Sequence, residues 1–166
     1  MTVTSVSNNL EALTMTVTAQ FASPIAGVWQ LWADPRQLER WWGPPTYPAT
    51  VVDHDLSPGG TVTYFMTGPG GEKPRGWWRV LSVDAPWHLA VMDGFAHDDG
   101  HPNTEMPTMT FHVTLDELPE GGTRMVIEST FPSRESMEQI IAMGMEEGIT
   151  LAVGQIDALL LETTAH

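Results

Sequence analysis

Hydrophobic and polar residues alternate along most of the chain, which predicts β-strands with one buried face. The clearest case is 13–21, where Leu13, Met15 and Val17 are separated by threonines. Six later segments have the same period and lie between turns rich in glycine and proline: 49–56, 61–67, 75–83, 87–93, 108–118 and 123–131. Short strands joined by hairpin turns predict a single curved antiparallel sheet.

Three other segments have a helical pattern. Pro24 and Pro35 each follow a residue type that caps helices, which predicts two short helices after the first strand, the second ending near Trp42. From Ser133 to about Glu162, apolar residues recur every three or four positions, which predicts one long amphipathic C-terminal helix. Helices segregated from an antiparallel sheet define an α+β fold.

The first segment of the chain has neither period. Residues 1–12 are polar and aperiodic, so we expect a flexible N-terminal tail followed by a single ligand-binding domain over 13–163. The start also lacks the basic and then apolar pattern of a signal peptide. A length of 166 residues suits one domain with a sizeable core.

Composition narrows the classes of function. Asp and Glu number 21 against 7 Lys and Arg, for a formal net charge of −14. Such an acidic protein repels phosphate backbones and anionic lipid, so neither nucleic acid nor membrane is an expected partner. The chain has no cysteine, which excludes disulfides and thiolate chemistry. With no apolar run of about 18 residues, we expect a cytoplasmic protein.

The predicted C-terminal helix contains three glycines, at 144, 148 and 154. Each costs about 1 kcal/mol in a helix interior, so the loss needs an offsetting reason. Either the helix packs closely on the sheet, or small residues leave a cavity between helix and sheet; a core filled by its own side chains is the alternative. Large, adaptable residues, several of them methionines, are predicted to line such a cavity together with the glycines: Trp29, Trp42, Tyr64, Met66, Trp78, Met109, Phe111, Met125, Met137, Ile141, Gly144, Met145 and Gly148.

Four segments, in this order, resemble a known superfamily. They are 34–45 (DPRQLERWWGPP), 55–60 (DLSPGG), 76–86 (GWWRVLSVDAP) and 122–125 (GTRM). Over about 13–161 the chain resembles the SRPBCC (START-like) superfamily, and more narrowly the branch homologous to the C-terminal domain of the heat-shock-protein-90 ATPase activator. The resemblance implies a helix-grip fold, in which a curved antiparallel sheet wraps around a long C-terminal helix and encloses a deep apolar cavity.

The resemblance leaves function open. Members of the superfamily include lipid and steroid carriers, polyketide cyclases, resistance proteins that sequester or react with a toxic ligand, and the co-chaperone domain. The co-chaperone has a further N-terminal domain where this chain has only a short segment, so chaperone activation is not expected. Met143-Gly144-Met145 also stands where many relatives carry Gly-Trp, which would reshape the cavity floor.

Few residues are candidates for chemistry. Tyr64 and His112 are the weak catalytic candidates, and with Gln155 they would orient a ligand. Alternation places His112 on the outer face, and only a reversed register would bring it into the cavity. The loop 94–106 carries His97 and His101 beside two aspartates, but such a loop is usually solvated, so we predict no metal site and leave open a role as a lid.

These observations favour a cofactor-free protein that binds a small hydrophobic molecule, aromatic or polycyclic, between the sheet and the C-terminal helix. The alternatives are an enzyme of the cyclase or hydrolase type that uses the same cavity, and a co-chaperone-like interaction domain. A homodimer is left open.

Overall fold

The computed structural model describes residues 3–164, and its strands form one open, curved antiparallel sheet. The sheet has eight strands in the order β1-β2-β8-β7-β6-β5-β4-β3. The α+β helix-grip architecture predicted from the sequence is confirmed. The strands are β1 (Val3–Asn9), β2 (Thr14–Phe21), β3 (Ala49–His54), β4 (Thr61–Met66), β5 (Arg75–Asp84), β6 (His88–Ala96), β7 (Met109–Glu117) and β8 (Thr123–Thr130).

In the part of the chain that the structure describes, five helices lie against the inner face of the sheet. As predicted, two short helices, α1 (Ile25–Ala33) and α2 (Pro35–Trp41), connect β2 to β3. The Asp34 side chain accepts a hydrogen bond from the Arg36 N–H at 2.9 Å and so caps α2. After β8 come α3 (Arg134–Ala142), α4 (Met145–Val153) and α5 (Ile156–Thr164). Within residues 3–164, each helix is too short or too polar to cross a membrane.

The prediction of a flexible tail over 1–12 is wrong for the residues that form β1. Val3–Asn9 pairs antiparallel with β2, from Val3 opposite Ala19 to Asn9 opposite Thr14. The side chains of residues 7–10 are exposed. A strand at the edge of a sheet is held by backbone hydrogen bonds along one side, so it forms without the apolar alternation on which the prediction relied. Residues 1 and 2 lie outside the described residues.

The predicted single long C-terminal helix is three consecutive helices. The first break is at Gly144, whose backbone is left-handed (φ 91°) and whose N–H bonds the Ile141 carbonyl at 2.9 Å. This conformation ends helices and suits glycine. At the second break, the Gln155 N–H bonds the carbonyl of Ala152, only three residues back, at 3.1 Å. Periodicity continues across both breaks, so it could not reveal them, and Gly148 is the one of the three glycines inside a helix.

A cluster of aromatic rings fills the centre of the fold between the sheet and the helices. Trp32 is fully buried, and its ring lies 4.8 Å from that of Trp41 in an edge-on arrangement. The rings of Trp42 and Trp78 are 4.9 Å apart, and those of Trp78 and Phe111 are 5.3 Å apart. Edge-on packing at these distances is favourable beyond the area that it buries. At this level of the fold, therefore, the core is filled by its own side chains.

The junction between α4 and α5 is tied to the end of α2 through Gln155. Its side-chain amide donates to the backbone carbonyls of Gly43 at 2.7 Å and Trp41 at 3.3 Å. Both bonds use the amide nitrogen, and Gln155 is not among the residues that line the cavity described below. Gln155 therefore has a structural role and not the ligand-orienting role that the sequence suggested.

Gly144, which precedes α4, and Gly148, which lies within it, are expected to respond in opposite directions to substitution by alanine. A Cβ added at Gly148 would have no atom within 4 Å and would sit on helical backbone, so G148A should raise the free energy of unfolding by about 0.5–1 kcal/mol. Gly144 has equal room but a φ of 91°, so G144A should lower it by about 1 kcal/mol. Urea unfolding of the two variants measures both changes, and a stabilising G144A would contradict the break.

Candidate functional site

A cavity of about 280 Å³ lies between β4–β7 and the helices α3 and α4. A second space of about 120 Å³ adjoins it, because both are bounded by Tyr64, Met66 and Asp93, and it extends toward Pro74 and Pro107. We call the two together the cavity. The larger part is lined by Trp42, Pro44, Tyr64, Met66, Asp93, Phe95, Met109, Ile140, Met143, Gly144, Met145, Gly148 and Ile149.

The structure brings together about half of the residues predicted to line a cavity. Those that line it are Trp42, Tyr64, Met66, Met109, Gly144, Met145 and Gly148. The others belong to the filled core or pack against it: Trp29, Trp78, Phe111, Met125, Met137 and Ile141. Alternation identifies the inner face of a strand correctly, but it does not tell how far along that face the aromatic cluster ends and the open space begins.

The glycine break between α3 and α4 shapes the helical wall of the cavity. The turn places Met143, Gly144 and Met145 at the cavity, and α4 continues the wall with Gly148 and Ile149. A Cβ at Gly148 would meet no atom within 4 Å. The small residue therefore leaves space that a larger side chain would occupy, as the sequence argument proposed for this glycine.

One polar pair stands in this apolar wall. The hydroxyl of Tyr64 on β4 donates to Oδ1 of Asp93 on β6 at 3.3 Å. The strand between them, β5, places Gly76 opposite Tyr64. A Cβ at Gly76 would lie only 2.4 Å from the Tyr64 hydroxyl oxygen, so the absence of a side chain there lets the tyrosine reach across β5.

Burial controls the ionisation of this pair. Loss of solvation raises the pKa of Asp93 to about 7, although hydrogen bonds from Tyr64 and from the Gly94 N–H oppose the rise. Burial also raises the pKa of Tyr64 well above its usual value, and the charge of Asp93 adds to this effect. The tyrosine therefore stays protonated as a donor, while the aspartic acid changes charge near neutral pH.

Three indole N–H groups of the aromatic cluster are buried without a hydrogen-bond partner among the described residues: Nε1 of Trp32, Trp42 and Trp78. Those of Trp42 and Trp78 come near enough to the Tyr64 hydroxyl to lower the pKa of the tyrosine slightly against the larger effect of burial. These two N–H donors favour an orientation of the Tyr64 hydroxyl in which its oxygen faces the indoles and its hydrogen faces Asp93.

His112 lies outside the cavity. It is exposed on the outer face of β7, as alternation predicted, and its Nδ1 is 3.4 Å from Nε2 of His88 on the neighbouring strand. It therefore cannot transfer a proton to a molecule in the cavity, and its candidacy as a catalytic base is withdrawn. Of the two catalytic candidates, Tyr64 alone is at the cavity.

The histidines of the loop 94–106 are at the surface. Nδ1 of His101 lies 3.0 Å from Oδ2 of Asp99, both side chains being largely exposed. The loop is closed on itself by the bond from the His97 N–H to the His101 carbonyl at 2.8 Å. Among the described residues, no group of three or more His, Asp or Glu side chains is placed to hold a metal ion. A role of this loop as a lid stays a prediction.

Sequence reasoning missed Asp93, the carboxyl residue among those that line the cavity. A signal was present, because the inner face of β6 reads Leu89, Val91, Asp93 and Phe95, which places an acidic residue in an apolar series. The predicted strand ended at residue 93, and this hid the continuation. Phe95, Ile140, Met143 and Ile149 also line the cavity without having been predicted.

One known protein family matches most of the chain. The sequence model of the family described as "Activator of Hsp90 ATPase homolog 1-like protein" matches residues 22–161. No curated protein matches the chain.

Solved structures of similar proteins span nearly the whole chain. Protein Ms6760 from Mycobacterium smegmatis is 53% identical, with a TM-score of 0.88 over 95% of this chain and 96% of that one. A protein from Arthrobacter aurescens is 49% identical, with a TM-score of 0.93 over 97% and 93% of the two chains. One from Staphylococcus epidermidis is 28% identical, with a TM-score of 0.82 over 96% and 94%.

The raised pKa of Asp93 predicts a pH-dependent stability difference between the protein and its D93N variant. Between about pH 4 and pH 7 the folded protein holds a proton that the unfolded chain has released, so rising pH destabilises the wild type through this residue. The amide that replaces the carboxyl group in D93N cannot titrate. From pH 5 to pH 8, D93N should therefore gain about 2–3 kcal/mol relative to the wild type.

Urea unfolding of both proteins at the two pH values measures this shift. Comparing the difference between the proteins removes the titration of all other groups. A difference that stays constant with pH would place the pKa of Asp93 in its ordinary range.

Proposed function

The chain belongs to the family of Activator of Hsp90 ATPase homolog 1-like proteins, and we propose that it binds a small hydrophobic molecule, aromatic or polycyclic, in the cavity between the sheet and α3–α4. The observation that carries the proposal is the cavity itself, whose larger part has a volume of about 280 Å³ and a wall of mostly apolar side chains. Pockets of this kind, with a few convergent polar groups, are the usual form of small-molecule sites.

The composition of the wall favours a flat or variable ligand. Met66, Met109, Met143 and Met145 all border the space. Methionine side chains are flexible and polarisable, so they adapt to ligands of different shape and make favourable contacts with rings. Trp42 adds a large aromatic surface on the side of the filled core.

The expected affinity is moderate. A ring system the size of a tryptophan side chain buries about 200 Å², and at about 25 cal/mol per Å² this contributes about 5 kcal/mol. The loss of translational and rotational freedom reduces the net value. Polar contacts must therefore add to ring burial if binding is to be tight.

An enzyme that uses the same cavity is the second candidate. The observation that favours it is Asp93, whose pKa of about 7 suits proton transfer at neutral pH. Native mass spectrometry of the protein isolated from its own cells distinguishes the two: a single unaltered ligand supports binding, whereas a substrate with its product supports catalysis. A co-chaperone-like interaction stays the third alternative.

Filling the cavity from Gly148 tests the binding proposal. A leucine at this position would project into the open space beside α4, so G148L should weaken binding of the neutral fluorescent probe N-phenyl-1-naphthylamine by about tenfold or more. G27L is the matched control, because Gly27 is also a helical glycine with nothing within 4 Å, but it lies in α1 away from the cavity.

Fluorescence titration of the three proteins gives the result. Equal affinity of G148L, G27L and the wild type would show that the probe binds elsewhere. Failure of the wild type to bind the probe would count against the proposal itself.

A further inference from the structure

The cavity contains a carboxyl group that has no cation to balance it. Among residues 3–164, no Lys, Arg or His lies within ion-pair distance of Asp93. The side-chain hydrogen bond that Asp93 does receive, from Tyr64, ends on Oδ1. Its Oδ2 receives no side-chain hydrogen bond within the described part of the chain, although the backbone N–H of Gly94 also stabilises the ionised carboxyl group. Burying a charged group without a partner is costly, so the site is suited to a ligand that supplies the partner.

Arg75, at the start of the neighbouring strand β5, does not supply the missing cation. It borders the smaller part of the cavity, but its guanidinium carbon lies 5.2 Å from the centre of the Phe65 ring. Phe65 follows Tyr64 along β4, so its side chain points to the opposite face of the sheet. The arginine charge is therefore directed away from Asp93.

Two further features favour a cation in this space. The aromatic side chains of Trp42, Tyr64 and Phe95 line the same part of the cavity as Asp93, and ring faces attract cations. The net charge of −14 also raises the local concentration of cations around the protein and lowers that of anions.

We propose that the molecule bound in the cavity is a hydrophobic amine, whose protonated nitrogen pairs with Oδ2 of Asp93 while its apolar part lies against the methionines and aromatic rings. This proposal rests on the proposed function and specifies the ligand class for that site. Tyr64 acts as a positioning residue, because its hydrogen bond to Oδ1 holds the carboxyl group and leaves Oδ2 for the ligand.

The pairing predicts how affinity depends on pH. Asp93 has a pKa of about 7, and Tyr64 and Arg75 are the other ionisable residues at the cavity. Burial raises the pKa of Tyr64 well above its usual value, so the tyrosine stays protonated between pH 6 and 8. An alkylamine stays protonated over this range. Affinity for the amine should therefore fall about tenfold from pH 8 to pH 6, as Asp93 takes up a proton.

A matched pair of two-ring probes tests the proposal by calorimetry. We would titrate 1-naphthylmethylamine and its uncharged analogue 1-naphthylmethanol into the wild type and D93N, at about pH 8 in an amine-free buffer with about 0.15 M salt. The wild type should prefer the amine by about ten- to a hundredfold, the strength expected of a hydrogen bond to a charged group. In D93N the preference should fall to within about threefold.

The outcomes separate the two proposals. If the wild type binds both probes equally, or if the amine preference persists in D93N, pairing with Asp93 is overturned and hydrophobic binding stands. If neither probe binds, the proposed function fails as well. Should D93N not fold, the wild-type titration decides: an affinity for the amine that does not fall at pH 6 overturns the pairing.

Discussion

The inner face of the sheet carries large apolar side chains on each of the strands β2 to β8. These side chains must be shielded from water for the chain to fold. Burial of this surface is the main favourable contribution to stability. Helices α1 and α2 cover one region with Trp32 and Trp41, and α3–α5 cover much of the remainder. Interdigitated rings fill the centre at the close distances seen between Trp42, Trp78 and Phe111. How completely the helices cover this face determines where the core is filled and where a cavity remains.

The helices cover the inner face of the sheet incompletely beside α3 and α4, and the space left open there is the cavity. The left-handed residue Gly144 turns the chain between the two helices, and Gly148 presents no side chain to the sheet. A fold that buried every inner-face residue would gain stability here. The open space lowers stability in exchange for room, which is the general pattern of sites that bind small molecules.

Asp93 also lowers the stability of the fold, because its carboxyl group is partly removed from water. A carboxyl group among Trp42, Tyr64 and Phe95 loses part of its hydration, and the Tyr64 hydroxyl offsets some of that loss. Gly76 is needed because any side chain at that position would collide with the tyrosine that bridges β4 and β6. Gly76 on β5 therefore allows the hydrogen bond between Tyr64 on β4 and Asp93 on β6, and this polar pair lies in the wall of the apolar cavity.

Much of this molecule could be deduced from residue patterns. Alternation and turn signals determine the strands from β2 to β8 and their inner faces, because a half-buried strand exposes every second residue to water. The family and the fold were also apparent from motifs near Trp41 and Trp77. Edge strand β1 was not, because it is held mainly by backbone pairing with β2 and, among its described side chains, only Val6 packs partly against the core. The break at Gly144 was hidden because apolar periodicity runs through it.

Only the tertiary structure decided which inner-face residues line the cavity and which belong to the core. Trp78 and Asp93 are register partners on adjacent strands, and yet of the two only Asp93 lines the open space. The packing of helices across the sheet sets that boundary, and contacts between residues distant in sequence leave no local pattern to read.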